Sequence, residues 1–381
     1  MPHRRLERRL SLLTTRSFRK EPCLRDEKVR RRRWSSPVAH VATNSLSAND
    51  SWQWTERYCQ EDLLFFTPLA MQSAQVLTLL LLSPLLSGCI ARAEAIVAGK
   101  RGPSIFQVYR DILKFFRKQP IRPEPSSWPF RAAPYIACGC YATIATLIPV
   151  LTTYPLPGAT FGDILGGAFV FALAGFFIAL AALDSGSQYA GLGSSRAVMV
   201  GILVEPTLIL IFFSVAFITG TDLPYAMNAA LRHSAADVLR PAHVLATAAF
   251  FMMLLVDTGR IPIESSSATI EMGMIDDARY FEHSGAWMAL LKWGSSMKQF
   301  LLYVIFINVL LLPMGLSSSG SVGSLLVAVG TLFAKMLAVG AFVVAIETTF
   351  AKLRLYKITE FIATGLLVAV LAVFAYVVGV G

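Results

Sequence analysis

"HVLATAAFFMMLLVDTGRIPIE", residues 243–264, sets an apolar run without Lys, Arg, Asp or Glu directly against a charged segment. The charged part continues as "SSSATIEMGMIDDARYFEHSG" to Gly285. From Asp257 onward it holds six carboxylates, Asp257, Glu264, Glu271, Asp276, Asp277 and Glu282, and two guanidinium groups, Arg260 and Arg279. Hydrophobic residues such as Ile261, Ile263, Ile270 and Met274 are interleaved with these charges. A solvated loop has no use for them, whereas a loop packed against another protein does.

The rest of the chain explains the apolar run. Of 381 residues, 55% are hydrophobic and only 15% are charged, and long apolar stretches recur, which excludes an ordinary soluble domain. A helical span needs about 20 apolar residues. Eight stretches qualify: 70–90, 132–152, 162–183, 197–219, 242–261, 298–315, 325–347 and 360–379. No alternation of β-barrel type occurs, so the expected fold is an all-α polytopic membrane protein of about eight transmembrane helices.

Between the first two spans, residues 91–131 are rich in Lys and Arg, and the positive-inside rule places this loop in the cytoplasm. Alternation then puts 184–196, 257–298 and "AKLRLYK" (351–357) on the same side, with 153–161, 220–241 and "LSSSGSVG" (316–323) outside. Inside the first loop, "SIFQVYRDILKFFRK" (104–118) has the pattern of an amphipathic helix lying in the membrane interface.

Residues 1–69 differ in kind. The first 70 residues hold 14 Lys or Arg against 8 Asp or Glu, so they carry +6 of the net +10, with no hydrophobic periodicity. They read as a disordered basic tail, an Arg-rich presequence, or codons ahead of a start at Met71, where "MQSAQVLTLLLLSPLLSGCIAR" opens a span at once. The eight-helix membrane domain is expected over 70–381. The five cysteines form no C-x-x-C pair, which argues against an iron–sulfur or structural zinc site. Walker A and G-x-G-x-x-G motifs are absent, and basic groups beside a span have anionic lipid as their simplest partner, so nucleic acid is not expected.

Charges inside spans mark function more often than stability. Glu205 lies in "MVGILVEPTLILIFF" with Pro206 freeing backbone carbonyls beside it. Lys335 and Glu347 share the seventh span. Lys298 opens the sixth and is expected to snorkel to the interface. Asp184 ends the third span, and Arg196 caps the return from the Gly- and Ser-rich turn that follows.

Four motifs in this order, "RGPSIFQVYRDILKFFRK" (101–118), "ALDSGSQYAGLGSSR" (182–196) with "EPTL" (205–208), "DTGRIPIE" through "EHSG" (257–285), and "ETTFAKLRLYKITEF" (347–361), resemble the subunit-1 family of respiratory complex I and energy-converting hydrogenases. Complex I members typically read "ETNRAPFD" where this chain has "DTGRIPIE". The "DTGRIP" and "AKLR" strings are similar to the [NiFe]-hydrogenase branch, which includes membrane subunits of formate hydrogenlyase and hydrogenase-4. The chain departs from that branch in "IESSSATIEM" and in His283, where Tyr is usual.

The resemblance implies a membrane anchor that holds no redox centre, seated between hydrogenase-like large and small subunits and antiporter-like subunits moving H⁺ or Na⁺. The [NiFe] and iron–sulfur centres would belong to those partners. A quinone is the expectation of the complex I branch, which the motifs do not favour. The resemblance also implies that Glu205, Asp184, Asp257, Glu264, Glu271 and Glu282 are ion-coupling acids, supported by Arg260, Arg196, Lys335 and Glu347, in a multi-pass protein of the cell's inner (plasma) membrane. The competing reading of another class is a stand-alone secondary transporter, against which stands the lack of an internal repeat.

Overall fold

The computed structural model describes residues 67–233, 238–260, 277–318, 321–349 and 357–379. Glu264 and Glu271 therefore lie outside the described residues, as does nearly all of the 1–69 segment. The described residues form ten α-helices: α1 (Thr67–Val97), α2 (Gln107–Phe116), α3 (Trp128–Leu147), α4 (Ile164–Asp184), α5 (Gln188–Thr219), α6 (Pro224–His233), α7 (Pro241–Asp257), α8 (Gly285–Val304), α9 (Val322–Thr349) and α10 (Lys357–Val377). They contain no extended strand, and only one isolated bridge joins Thr152 to Ser317. The protein is a polytopic membrane protein.

Each expected span has its helix. Six are long and apolar enough to cross a bilayer: α1, α4, α5, α8 with its continuation to Leu311, α9 and α10. α7 is shorter, at 17 residues, and α3 is a 20-residue helix with Pro at its start and Pro134 inside it. The short α2 confirms the amphipathic reading of 104–118. It buries Ile112, leaves Leu113 and Phe116 exposed, and lies on α1 and α8.

Three boundaries differ from the sequence expectation. α8 begins at Gly285 rather than at Lys298, because Lys292, Ser295, Ser296 and Gln299 dilute its hydropathy while the helix stays inside protein. Of its most apolar window 78% is buried, against 28–44% for the other five. α8 thus forms the core on which α1, α2 and α3 pack, and it can carry polar residues that lipid would refuse. α5 begins at Gln188, so Arg196 lies inside a helix and does not cap the turn. α1 runs on to Val97, which places Glu94 in its last turn rather than in the basic loop.

The turns are built by specific residues. Gly186 (φ 69°) makes the tight return from α4 to α5, and a Cβ there would meet Pro125 at 2.9 Å. At the entry to α8, Gly285 (φ 57°) lets the backbone of Gln119 and Pro120 approach to where a Cβ would stand, 2.6 Å away. Ser284 locks that contact, its Oγ accepting from the Ile121 N–H at 2.7 Å and donating to the Ile121 carbonyl at 3.1 Å. The end of the basic loop therefore meets the residues that lead into α8.

Candidate functional site: ion pairs around the end of α7

α7 ends at Asp257 because Gly259 takes a left-handed conformation (φ 66°). The Gly259 N–H then donates to Val256 O at 3.0 Å and the Arg260 N–H to Leu255 O at 2.9 Å, satisfying carbonyls that the helix end leaves open. This turn holds Asp257 and Arg260 close in sequence and gives each a separate partner.

Asp257 pairs with Lys298 on α8, Nζ to Oδ1 at 2.6 Å, with both side chains mostly shielded from solvent. The ammonium also lies 5.6 Å from the centre of the Phe171 ring on α4, a contact that favours the cation. Lys298 therefore does not snorkel, and the expectation that it opens a span is corrected by its position well inside α8. Tyr141 on α3, fully buried, lies within the electrostatic reach of Asp257, Arg279 and Tyr280. Asp257 and Lys298 in turn act on Glu205 of α5.

Arg260 forms the second cluster. It is ion-paired with Glu94 of α1, and its Nη1 lies 3.9 Å from Oε2 of Glu347 on α9. One guanidinium thus stands between two carboxylates from different helices. Tyr303 of α8, with no exposed surface, sits beside Gln299 and within the field of Arg260 and Glu347. Gln299 accepts a hydrogen bond from Ser87 of α1 at 2.8 Å. Lys298 and the Gln299–Tyr303 pair leave α8 in different directions.

Glu205 occupies an unexpected place. It lies in the middle of α5, yet it is exposed, in a stripe with Met199, Ile202 and Phe213. A carboxylate at bilayer depth does not stably face hydrocarbon. The charged residues that act on it are Asp257 and Lys298.

Other predicted residues fall elsewhere. Asp184 caps α3, its carboxylate accepting from the Ser127 N–H (2.7 Å), the Ser127 hydroxyl (2.6 Å) and the Phe130 N–H (3.3 Å). Those bonds occupy it structurally. Glu282 follows a short 3-10 turn, Ala278–Tyr280, that packs on α4 and α5. Its neighbour His283 is buried, stacked on Phe130 with ring centres 4.0 Å apart, and Nε2 is 3.3 Å from the Phe130 carbonyl. Burial pushes this imidazole down to about 4, so it is neutral at pH 7. Lys335 lies toward the opposite end of the bundle from Asp257 and donates to the carbonyls of Leu312 and Met314.

Sequence reading missed Glu94, the Lys298 pair and Tyr303. Glu94 continues the helical spacing of buried Leu79, Ser83, Leu86 and Ile90, a periodic signal that extends beyond the apolar window.

Comparison with known proteins agrees with this architecture. A family profile described as NADH dehydrogenase matches residues 71–378. The chain is 36% identical to formate hydrogenlyase subunit 4 of Escherichia coli K12 over 69% of its length and 84% of that protein. It is 34% identical to hydrogenase-4 component C of the same organism over 70% and 82% respectively. A chain in the solved structure of the membrane-bound sulfane sulfur reductase, an archaeal respiratory membrane complex, shares the fold, with a TM-score of 0.67 at 22% identity. That match covers 81% of this chain and 98% of the other. The membrane helices, their order and the length of the match together place this chain in the NADH dehydrogenase subunit 1 family.

Proposed function

We propose that this chain is the non-redox membrane subunit of an energy-converting, formate hydrogenlyase-like hydrogenase complex, where it anchors the hydrogenase arm and couples electron transfer to movement of H⁺ or Na⁺. The observation that carries this reading is the pair of ion-paired clusters at the end of α7, Asp257 with Lys298 and Arg260 with Glu94 and Glu347. The relatives named for formate hydrogenlyase and hydrogenase-4 support the choice of complex. Hydrogenase-like large and small subunits would sit on the end of the bundle bearing the basic and acidic loops, in the cytoplasm. Antiporter-like subunits would lie beside it in the inner membrane.

A redox centre in the peripheral arm would supply one change of negative charge close to the acidic loop. The residues of this chain translate that change. Added negative potential favours protonation of nearby carboxylates, the more so where the dielectric is low. Protonating Asp257 weakens its hold on Lys298, and the ammonium then acts more strongly on Glu205. In the second cluster, Arg260 holds two carboxylates that share protons as a coupled pair once its charge is drawn away. The route is transverse, from helix to helix, and each step exchanges one ion-pair partner for another.

Purification of the complex through a C-terminal tag on this chain, with mass spectrometry of the co-purifying proteins, tests the reading. A [NiFe]-hydrogenase-like large subunit with antiporter-like subunits is the expected result. NADH-oxidising subunits would move the chain to a quinone-linked complex, and recovery of the chain alone would overturn both.

A further inference from the structure

The outer part of α8 is not α-helical. From Ile305 to Leu311 it is a π-helix, a form found mostly as short insertions at functional positions. The backbone shows how it is held. In an α-helix the Leu312 N–H would donate to Asn308 O, but here it donates to Ile307 O at 2.8 Å. Asn308 O is taken instead by the Asn228 amide of α6 at 2.5 Å.

The same substitution recurs along the segment. The Met314 N–H turns to Leu312 O, and Leu310 O is met by Nε2 of His243 on α7 at 2.8 Å. Lys335 of α9 donates to Leu312 O at 3.0 Å and to Met314 O. Thr331, also on α9, donates to Gly315 O at 2.8 Å. The Asn308 side chain ties the segment to Pro149 O at 2.9 Å and Val150 O at 3.2 Å. Side chains from three helices thus replace the backbone donors that an α-helix would supply.

Lys298, Gln299 and Tyr303 lie on α8 just before this segment. Conversion of seven π residues to α geometry, with the Leu312–Ser317 end fixed, would rotate the preceding helix by roughly a quarter turn. Lys298 would then swing away from Asp257 and Tyr303 away from Arg260. We propose that Asn228, His243 and Lys335 are positioning residues, which hold the π register and thereby aim Lys298 at its ion-pair partner Asp257 and Tyr303 toward the Arg260 cluster. α9 acts twice: Lys335 fixes the outer end of α8, and Glu347 meets Arg260 at the other. This inference rests on the ion-coupling reading of those pairs.

The experiment uses the whole tagged complex in proteoliposomes, with Asn228→Leu, Lys335→Met and Lys335→Arg variants, and with Glu205→Gln as a control on the ion path. Two quantities are read: amide hydrogen exchange of the 300–315 segment, and ions moved per electron transferred. Asn228→Leu and Lys335→Met should speed exchange in that segment about tenfold or more and lower the ion-to-electron ratio, and Lys335→Arg should restore both.

Faster exchange with an unchanged ratio, while Glu205→Gln lowers the ratio, would reduce these residues to local caps and overturn the proposal. Unchanged exchange in both variants would overturn it as well. An unchanged ratio in Glu205→Gln points instead to failure of the ion-path reading. Should Lys335→Met not assemble, Asn228→Leu and Thr331→Val, each removing one uncharged donor, decide by the same criteria.

Discussion

The ammonium of Lys298 stands 2.6 Å from the Asp257 carboxylate, although one residue lies deep in α8 and the other closes α7. Neither charge is stable alone in that place. Asp257→Asn should therefore destabilise the complex by roughly 3 kcal/mol by removing the carboxylate that stands against a shielded ammonium. The double variant Asp257→Asn with Lys298→Met should recover most of that loss. Thermal unfolding of the four members of this cycle measures the coupling.

Arg260 presents a different balance, because two carboxylates share one cation. Arg260→Met would leave Glu94 and Glu347 facing each other, and one of them should take up a proton. The expected result is a loss of several kcal/mol that Glu347→Gln partly relieves in the double variant. Thermal stability of the assembled complex checks the sign of that relief.

Asp184, expected to be an ion-coupling acid, accepts hydrogen bonds from Ser127 and Phe130 at the start of α3. Asp184→Ala should cost about 1 kcal/mol of stability and leave the ion-to-electron ratio of the assembled complex unchanged. Ser127→Ala should resemble it. A fall in the ratio would return Asp184 to the ion path.

His283 gives a pH signature outside the membrane spans. Its folded-state value, lowered to about 4, lies below the ordinary imidazole value near 6.5. The unfolded chain then binds more protons between those values, so the contribution is complete above pH 6.5 and is lost as pH falls toward 4. Its size is roughly 3 kcal/mol. His283→Phe, which keeps the stack on Phe130, should flatten the stability profile of the complex in that window.

Much of the fold was legible because lipid imposes a simple rule: apolar spans of sufficient length are helices, and α1, α4, α5, α9 and α10 obey it. The rule weakened where a helix is surrounded by protein. α8 carries Lys292, Lys298 and Gln299 because its neighbours, rather than lipid, receive them, so its first half read as loop. Asp257, Arg260 and Glu347 were singled out as charges at span ends. Their partners were not, since Glu94 pairs with Arg260 across 166 residues of chain, a distance no local pattern encodes. The role of Asp184 was hidden for the same reason: the N-terminus that it caps belongs to α3, a helix packed beside its own.

The central claim is that ion coupling reaches the α5 face at Glu205 from the Asp257–Lys298 pair. Glu205→Gln is the sharpest probe, because the residue is exposed in this subunit and its replacement removes a charge without opening the core. Ion uptake per electron, measured in proteoliposomes of the purified complex, should fall well below the unmodified value while electron transfer continues. An unchanged ratio in a fully assembled complex would contradict the account.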